Sequence, residues 1–327
     1  MESMTASAAN SAFWQALRLA VILAAACHST AARSTPPDGS RGVAVIYPDI
    51  GEPYRSVFAR IIDGVERQTR QHVARFAVGS SVNSQELAGE LRRLEVRVAI
   101  VLGRNGLKAA DALDRDIGVV AGGVLSLPES PARAFSVYSL APDPALLFAR
   151  LKGLLPAARR IWVVYDARQN AWLIRLARDA AKTQGLELVA FEVDDLKAAL
   201  QRYQEILNNA DPKRDALWLP QDLTTVDETT VLPLVLQESW DRSLTVFSSS
   251  VTHVKRGALF ALYPDNTELG RRLGDAALAY LAAGAPPARS MVPLTEVLFA
   301  VNVRTASHLG IDVASKQPSF DLVFPER

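Results

Sequence analysis

From Gly42 onward, short apolar runs alternate with longer stretches in which apolar residues recur every three or four positions. Val43-Ala44-Val45-Ile46-Tyr47 is a continuous run that ends at Pro48-Asp49-Ile50-Gly51, the pattern of a strand buried on both faces. Phe58, Ile61, Ile62 and Val65 follow at helical spacing. A weaker strand is predicted over 73–78, where Arg75 interrupts the run, and Leu87, Leu91 and Leu94 mark one face of the next helix. The run 96–102 predicts a strong strand stopped by Gly103, followed by a helix through Leu107, Ala110 and Leu113. A fourth strand over 117–120 is expected to end at Ala121-Gly122-Gly123.

The segment from Leu125 to Pro144 breaks this rhythm with four prolines and one short strand at Phe135-Ser136-Val137-Tyr138. The alternation then resumes. Leu147, Leu151 and Leu154 predict a helix, and Ile161-Trp162-Val163-Val164-Tyr165 a strand ending at Asp166. Further pairs follow: a helix through Leu173, Leu176, Ala177 and Ala180, a strand over 186–193, a helix over 196–207, and a strand at Ala216-Leu217-Trp218-Leu219. The helix over 231–240 carries Pro233 near its start, where a missing N–H costs least. Leu244-Thr245-Val246-Phe247 then leads into Ser248-Ser249-Ser250. Beyond it, Val254 to Leu259 reads as a short strand, Tyr263 to Asn266 as a turn, and the chain up to Gly284 as a helix packed by small residues. A strand from Phe299 and a last short helix close the pattern. Strands alternating with helices imply parallel sheets covered on both faces, because each crossover helix buries a face. The fold class expected is α/β, with two doubly wound parallel-sheet lobes.

Composition narrows the function. The chain has 327 residues, 49% hydrophobic and 22% charged, with a net charge of +1, so no electrostatic case exists for a nucleic-acid partner. A single cysteine, Cys27, rules out an intramolecular disulfide. Residues 1–32 have the layout of an export signal: Arg18, then the apolar run 19–26, then small residues. Cleavage after Ala31 or Ala32 is one outcome. The other is acylation at Cys27, because Ala24-Ala25-Ala26-Cys27 resembles a lipoprotein box, although Ala24 stands where a leucine is usual. Residues 33–41 form a linker. The expected location is periplasmic or extracytoplasmic, either soluble or lipid-anchored.

Gly257-Ala258-Leu259 leading into Asp265 and Glu268-Leu269-Gly270, and Asn302 with Thr305-Ala306 and Leu309-Gly310, carry a resemblance. Leu102-Gly103, Ala158-Arg159-Arg160-Ile161, Gly185-Leu186-Glu187-Leu188-Val189 and Leu219-Pro220 before Asp222 support it. The chain resembles a type I periplasmic binding protein of the ABC-transporter substrate-binding family that includes tryptophan-binding members, over roughly 42–313. The resemblance implies lobes of 42–139 plus 262–285 and 140–261 plus 286–327, with chain crossings near Leu140, Leu262 and Ala285. It also implies a small-molecule ligand, with an amino acid or small carboxylate the leading guess, an inner-membrane ABC permease as partner, a monomer, and no cofactor. An envelope lipoprotein or sensory subunit using the same scaffold for protein contacts is the alternative.

Ligands of open parallel sheets lie beyond the C-terminal strand ends. In the first lobe these are Tyr47 and Asp49, Gly103-Arg104-Asn105, and Gly123; in the second, Tyr165-Asp166 with Gln169-Asn170, Gln221-Asp222, and Ser249. Tyr263 and Asp265 lie at a crossing. The helix start after Gly103 attracts a carboxylate, and Arg104 adds a bidentate contact, where the resemblance implies a small hydroxyl residue. Tyr47 and Tyr165 end equivalent strands and suit an apolar or aromatic ligand. The Gly122-Gly123 pair departs from the polar motif common in that family. Enzyme readings are weak: there is no G-x-G-x-x-G after a strand, no Walker loop and no G-x-S-x-G elbow. His72, His253 and His308 lack metal-ligand spacing.

Overall fold

The computed structural model describes residues 42–81, 83–111, 113–127, 135–284, 290–313 and 320–326. The expected export signal and linker, Cys27, and the crossing expected near Ala285 lie outside the described residues. Five strands and three helices come first: β1 (Val43–Pro48), α1 (Tyr54–Thr69), β2 (Ala74–Val78), α2 (Ser84–Arg93), β3 (Val98–Leu102), α3 (Gly103–Ala110), β4 (Gly118–Val124) and β5 (Val137–Pro142). With β11 (Met291–Leu294) they form a six-stranded sheet in the order β11-β5-β4-β3-β1-β2, parallel throughout.

The second sheet takes α4 (Pro144–Leu154), β6 (Arg160–Tyr165), α5 (Ala167–Thr183), β7 (Glu187–Glu192), α6 (Leu196–Asn209), β8 (Asp215–Leu219), α7 (Val231–Asp241), β9 (Thr245–Ser248), α8 (Val251–Arg256) and β10 (Phe260–Pro264). After α9 (Asn266–Ala283) and β11, it is completed by β12 (Val297–Asn302), α10 (Val303–His308) and β13 (Leu322–Phe324). Its order is β13-β12-β10-β9-β8-β6-β7.

Alternation along each strand sorts the cores. In the first sheet Val43, Val45, Val98 and Ile100 face α1 and α9, while Ala44, Ile46, Ala99 and Val101 face Leu87 and Leu91 of α2 and Ala109 of α3. In the second, Ile161, Val163 and Trp218 pack on Phe148 of α4 and Leu173 of α5, with the Phe148 and Trp218 rings edge-on at 5.6 Å. Val164, Leu217 and Val246 face Tyr203 and Ile206 of α6 and Val235 of α7. Strands buried on both faces read as continuous apolar runs, which is why their positions were legible.

Four features differ from the sequence expectation. Val254 to Arg256 belongs to helix α8, which ends at Gly257 with φ +132°; the strand starts only at Phe260. β4 runs through Gly122-Gly123 to Val124, its ladder shifting at Gly123, where φ is +70°. β12 pairs antiparallel with β10, because the chain re-enters the second sheet from the crossing end. Finally, β11 pairs with β5, so 291–294 stays with the first sheet rather than joining the second. The third crossing is therefore Thr295-Glu296, and the other two fall at Asp143 and Asp265.

These crossings are tied together. Asp143 N donates to Leu294 O and Asp265 N to Glu296 O, both at 2.9 Å. Asp143 and Asp265 each cap the helix that enters the opposite lobe, accepting from Ala145 N in one case and from Thr267 N and Glu268 N in the other. Arg272 of α9 pairs with Glu296 at 2.8 Å and bonds Thr295, holding helix and crossing together.

Candidate functional site

β10 runs parallel to β9, β9 to β8 and β8 to β6, and β10 ends at a crossing. The C-terminal ends of these four strands therefore all face the first lobe. By the same argument β1, β3 and β4, parallel to β5, end toward the second. The cleft between these rows of strand ends is the candidate site.

On the second lobe, the buried Asp166, Asn170 and Asp222 form one network with Arg168, Gln169 and Thr224. Asp222 is 3% exposed; its Oδ2 accepts from Asp166 N at 2.8 Å and Asn170 Nδ2 at 2.9 Å. Its Oδ1 accepts from Thr224 N and Thr225 N at 3.0 and 2.9 Å, and from Gln169 Nε2 at 3.3 Å. Asp166 caps α5, bonding Arg168 N, and pairs with the Arg168 guanidinium at 2.7 Å. Thr224 Oγ1 donates to Asp166 Oδ2 at 2.8 Å. The hydrogen-bonded Arg168, helped by Thr224, holds the Asp166 carboxyl down at about 2 against the opposing effect of burial. The network welds the ends of β6 and β8, and both carboxylates are satisfied inside it.

The other second-lobe candidates are also engaged. The Tyr165 hydroxyl donates to Glu192 at 3.1 Å, and burial first, then Glu192, raises its pKa. Ser249, 2% exposed, accepts from Trp218 Nε1 at 3.0 Å. Gln221 differs: its Oε1 is buried and accepts no hydrogen bond among the described residues. Tyr263 is half-buried, its pKa raised by burial and then by Asp321 and Asp265.

The first lobe is opener. Gly103 starts α3 at φ +64°, where a Cβ would lie 2.9 Å from Pro48 Cγ, so only glycine fits there. Arg104 is exposed and has no ionic or hydrogen-bond partner among the described residues. Asn105 reaches back to Val78 O at 3.5 Å. Asp49 is exposed and Tyr47 half-buried. The predicted residues thus stand at strand ends or at a crossing, engaged within their own wall in the second lobe, with Asp49 and Arg104 exposed in the first. Gln169, a strand-end candidate from sequence, completes the network together with Thr224; missed from sequence were Thr224 and Leu223, the latter 81% exposed at the loop's tip. A polar loop with an intervening leucine gives no signal of this until the loop is closed.

The histidines lie apart. His253 Nδ1 is 2.8 Å from Ser248 Oγ, which donates to Leu219 O and accepts from Ser250 N, so the imidazole is the donor and the hydroxyl is not a poised nucleophile. His308 stacks on Trp240 at 3.8 Å, and His72 lies against Glu66. Among the described residues no group of three or more His, Cys, Asp or Glu is placed to hold a metal.

Two doubly wound lobes with opposed strand ends and a triple crossing define the type I periplasmic-binding-protein fold. A family model described as ABC transporter substrate binding protein matches residues 148–316, more than half of the chain. The chain belongs to that family. A ligand-free, open substrate-binding protein with adhesive properties from Clostridium difficile is similar in fold, with TM-score 0.60 and 16% identity over 86% of this chain and 99% of that one. An ABC domain in complex with L-Trp from Streptococcus pneumonia gives TM-score 0.53 and 16% identity over 86% and 100%. A conserved domain protein from Vibrio cholerae gives 0.52 and 18% over 86% and 99%. No curated protein matches the chain.

Proposed function

We propose that this chain is the extracytoplasmic solute-binding component of an ABC transporter, capturing an amino acid or small carboxylate in the inter-lobe cleft without catalysis and passing it to an inner-membrane permease. The observation that supports this most is the facing of both rows of strand ends across three tied crossings, in a chain of this family. The exposed Arg104 at the start of α3 suits a carboxylate, and the L-Trp complex of one structural relative supports an amino acid. The two lobes would pivot about the crossings. Thermal unfolding against a panel of amino acids and carboxylates tests this. A ligand that binds only the folded state at a hundredfold excess over Kd adds about 2.7 kcal/mol. Folded protein that shows no shift across the panel would refute the proposal.

A second reading is an envelope subunit that uses the scaffold for protein contacts. The internal engagement of Asp166, Asn170, Asp222 and Ser249 favours it, as they leave little free polar chemistry on that wall. Affinity capture returning a receptor instead of a permease would decide for it. Acylation of Cys27 is tested by fatty-acid labelling with Cys27→Ala as control.

A further inference from the structure

Leu223 is the most exposed large apolar side chain among the described residues, at 81%, and it stands on a loop held by hydrogen bonds on both sides of it. Its own N–H donates to Gln169 Oε1 at 3.3 Å. The residue before it is Asp222, which binds the N–H groups of Thr224 and Thr225; the residue after it, Thr224, bonds Gln169 Nε2 and Asp166. The loop follows β8, so it lies at the cleft end of the second sheet. A leucine in water forfeits the free energy of burial, and here its backbone is fixed in that unfavourable position. Such an arrangement is useful where a partner covers the side chain later, since a pre-ordered contact loses little entropy on binding.

The surroundings say which partner. On the second lobe the Gln221 Oε1 is buried and the carboxylates are satisfied within their own network, so the exposed group this loop presents is the Leu223 side chain. The exposed charges at the first lobe's strand ends are Asp49 and Arg104, whereas the exposed Arg168 of the second lobe is already engaged by Asp166 and the Asp194 carbonyl. Building on the solute-binding function above, we propose that Leu223 is the second lobe's specificity-determining ligand contact: the cleft takes a solute whose charged end meets the first lobe and whose apolar body meets Leu223.

The test is isothermal titration and thermal unfolding of the wild-type chain, Leu223→Ala and Leu223→Met with four probes: phenylalanine, 3-phenylpropionate, glycine and succinate. The apolar-bodied pair should bind the wild type. Leu223→Ala should weaken that binding about tenfold, the size expected for losing part of a leucine contact, and Leu223→Met should restore most of it. The melting temperature of the free protein should stay unchanged, because the side chain is exposed. If the apolar pair binds and Leu223→Ala binds it equally well, or if only glycine and succinate bind, the Leu223 assignment is overturned while solute binding stands. Equal weakening for every probe would make Leu223 a lobe-to-lobe contact, and likewise overturns it. If none of the four binds the wild type, this proposal falls; only the wider panel failing as well would remove the solute-binding function.

Discussion

Helix α9 reaches the first lobe only because glycines let it lie directly on α1. A Cβ at Gly270 would sit 2.8 Å from the Ile61 carbonyl carbon and 3.0 Å from Gly64 Cα, and would overlap the Ile61 oxygen. Ordinary carbon contacts need about 3.5–4.0 Å, so Gly270→Ala requires the helices to part by roughly 1 Å. Backbone cannot rotate away as a side chain can. The parting would also unpack Leu269 and Leu273 of α9 from Ile61 and Val65 of α1, all at most 1% exposed. Overpacking in a closed core costs about 1–3 kcal/mol, and the added loss of leucine contacts places this variant at or above the upper end. Gly89→Ala in α2 is the matched control, because nothing lies within 4 Å of its Cβ position. There the same substitution should stabilise by about 0.5–1 kcal/mol through helix propensity. Urea unfolding followed by circular dichroism measures both. Equal midpoints for the two variants would refute the idea that helix contact through glycine docks α9.

Asp222→Ala should cost about 3–5 kcal/mol, since it leaves the Asp166, Thr224 and Thr225 N–H groups without their shared carboxylate; an unchanged urea midpoint would count against a structural role. His253 is kept neutral by burial and then by Arg256, with its pKa lowered from 6.5 to about 4. Between these values the unfolded chain binds the proton and the folded chain does not. Stability is therefore full above pH 6.5 and falls as pH drops towards 4, by at most ~1.4 kcal/mol per pH unit. His253→Gln should flatten that slope in urea titrations at pH 7.5 and 5.0. Asp166 acts lower: its pKa of about 2 against 3.8 keeps its contribution intact above pH 3.8 and loses it towards pH 2. Arg168→Met should shrink that acid loss, because the folded pKa moves back toward 3.8; the change is read from unfolding midpoints between pH 4 and 2.

The amino-acid sequence by itself determined the two-lobed α/β plan, because strands such as Val98–Leu102 are buried on both faces and announce themselves as unbroken apolar runs. Strand ends were legible too, through Gly103, Pro220 and the run Ser248-Ser249-Ser250. Only the tertiary structure decided that β11 pairs with β5, since a four-residue strand carries no mark of which sheet edge it will meet. It also decided the roles at the cleft. Asp166 and Asp222 are polar residues at strand ends, as expected, yet they serve each other's loops, because residues 56 positions apart meet only when β6 and β8 pair. That pairing leaves the outward face to Leu223, whose position depends on bonds from both loops and on no local pattern.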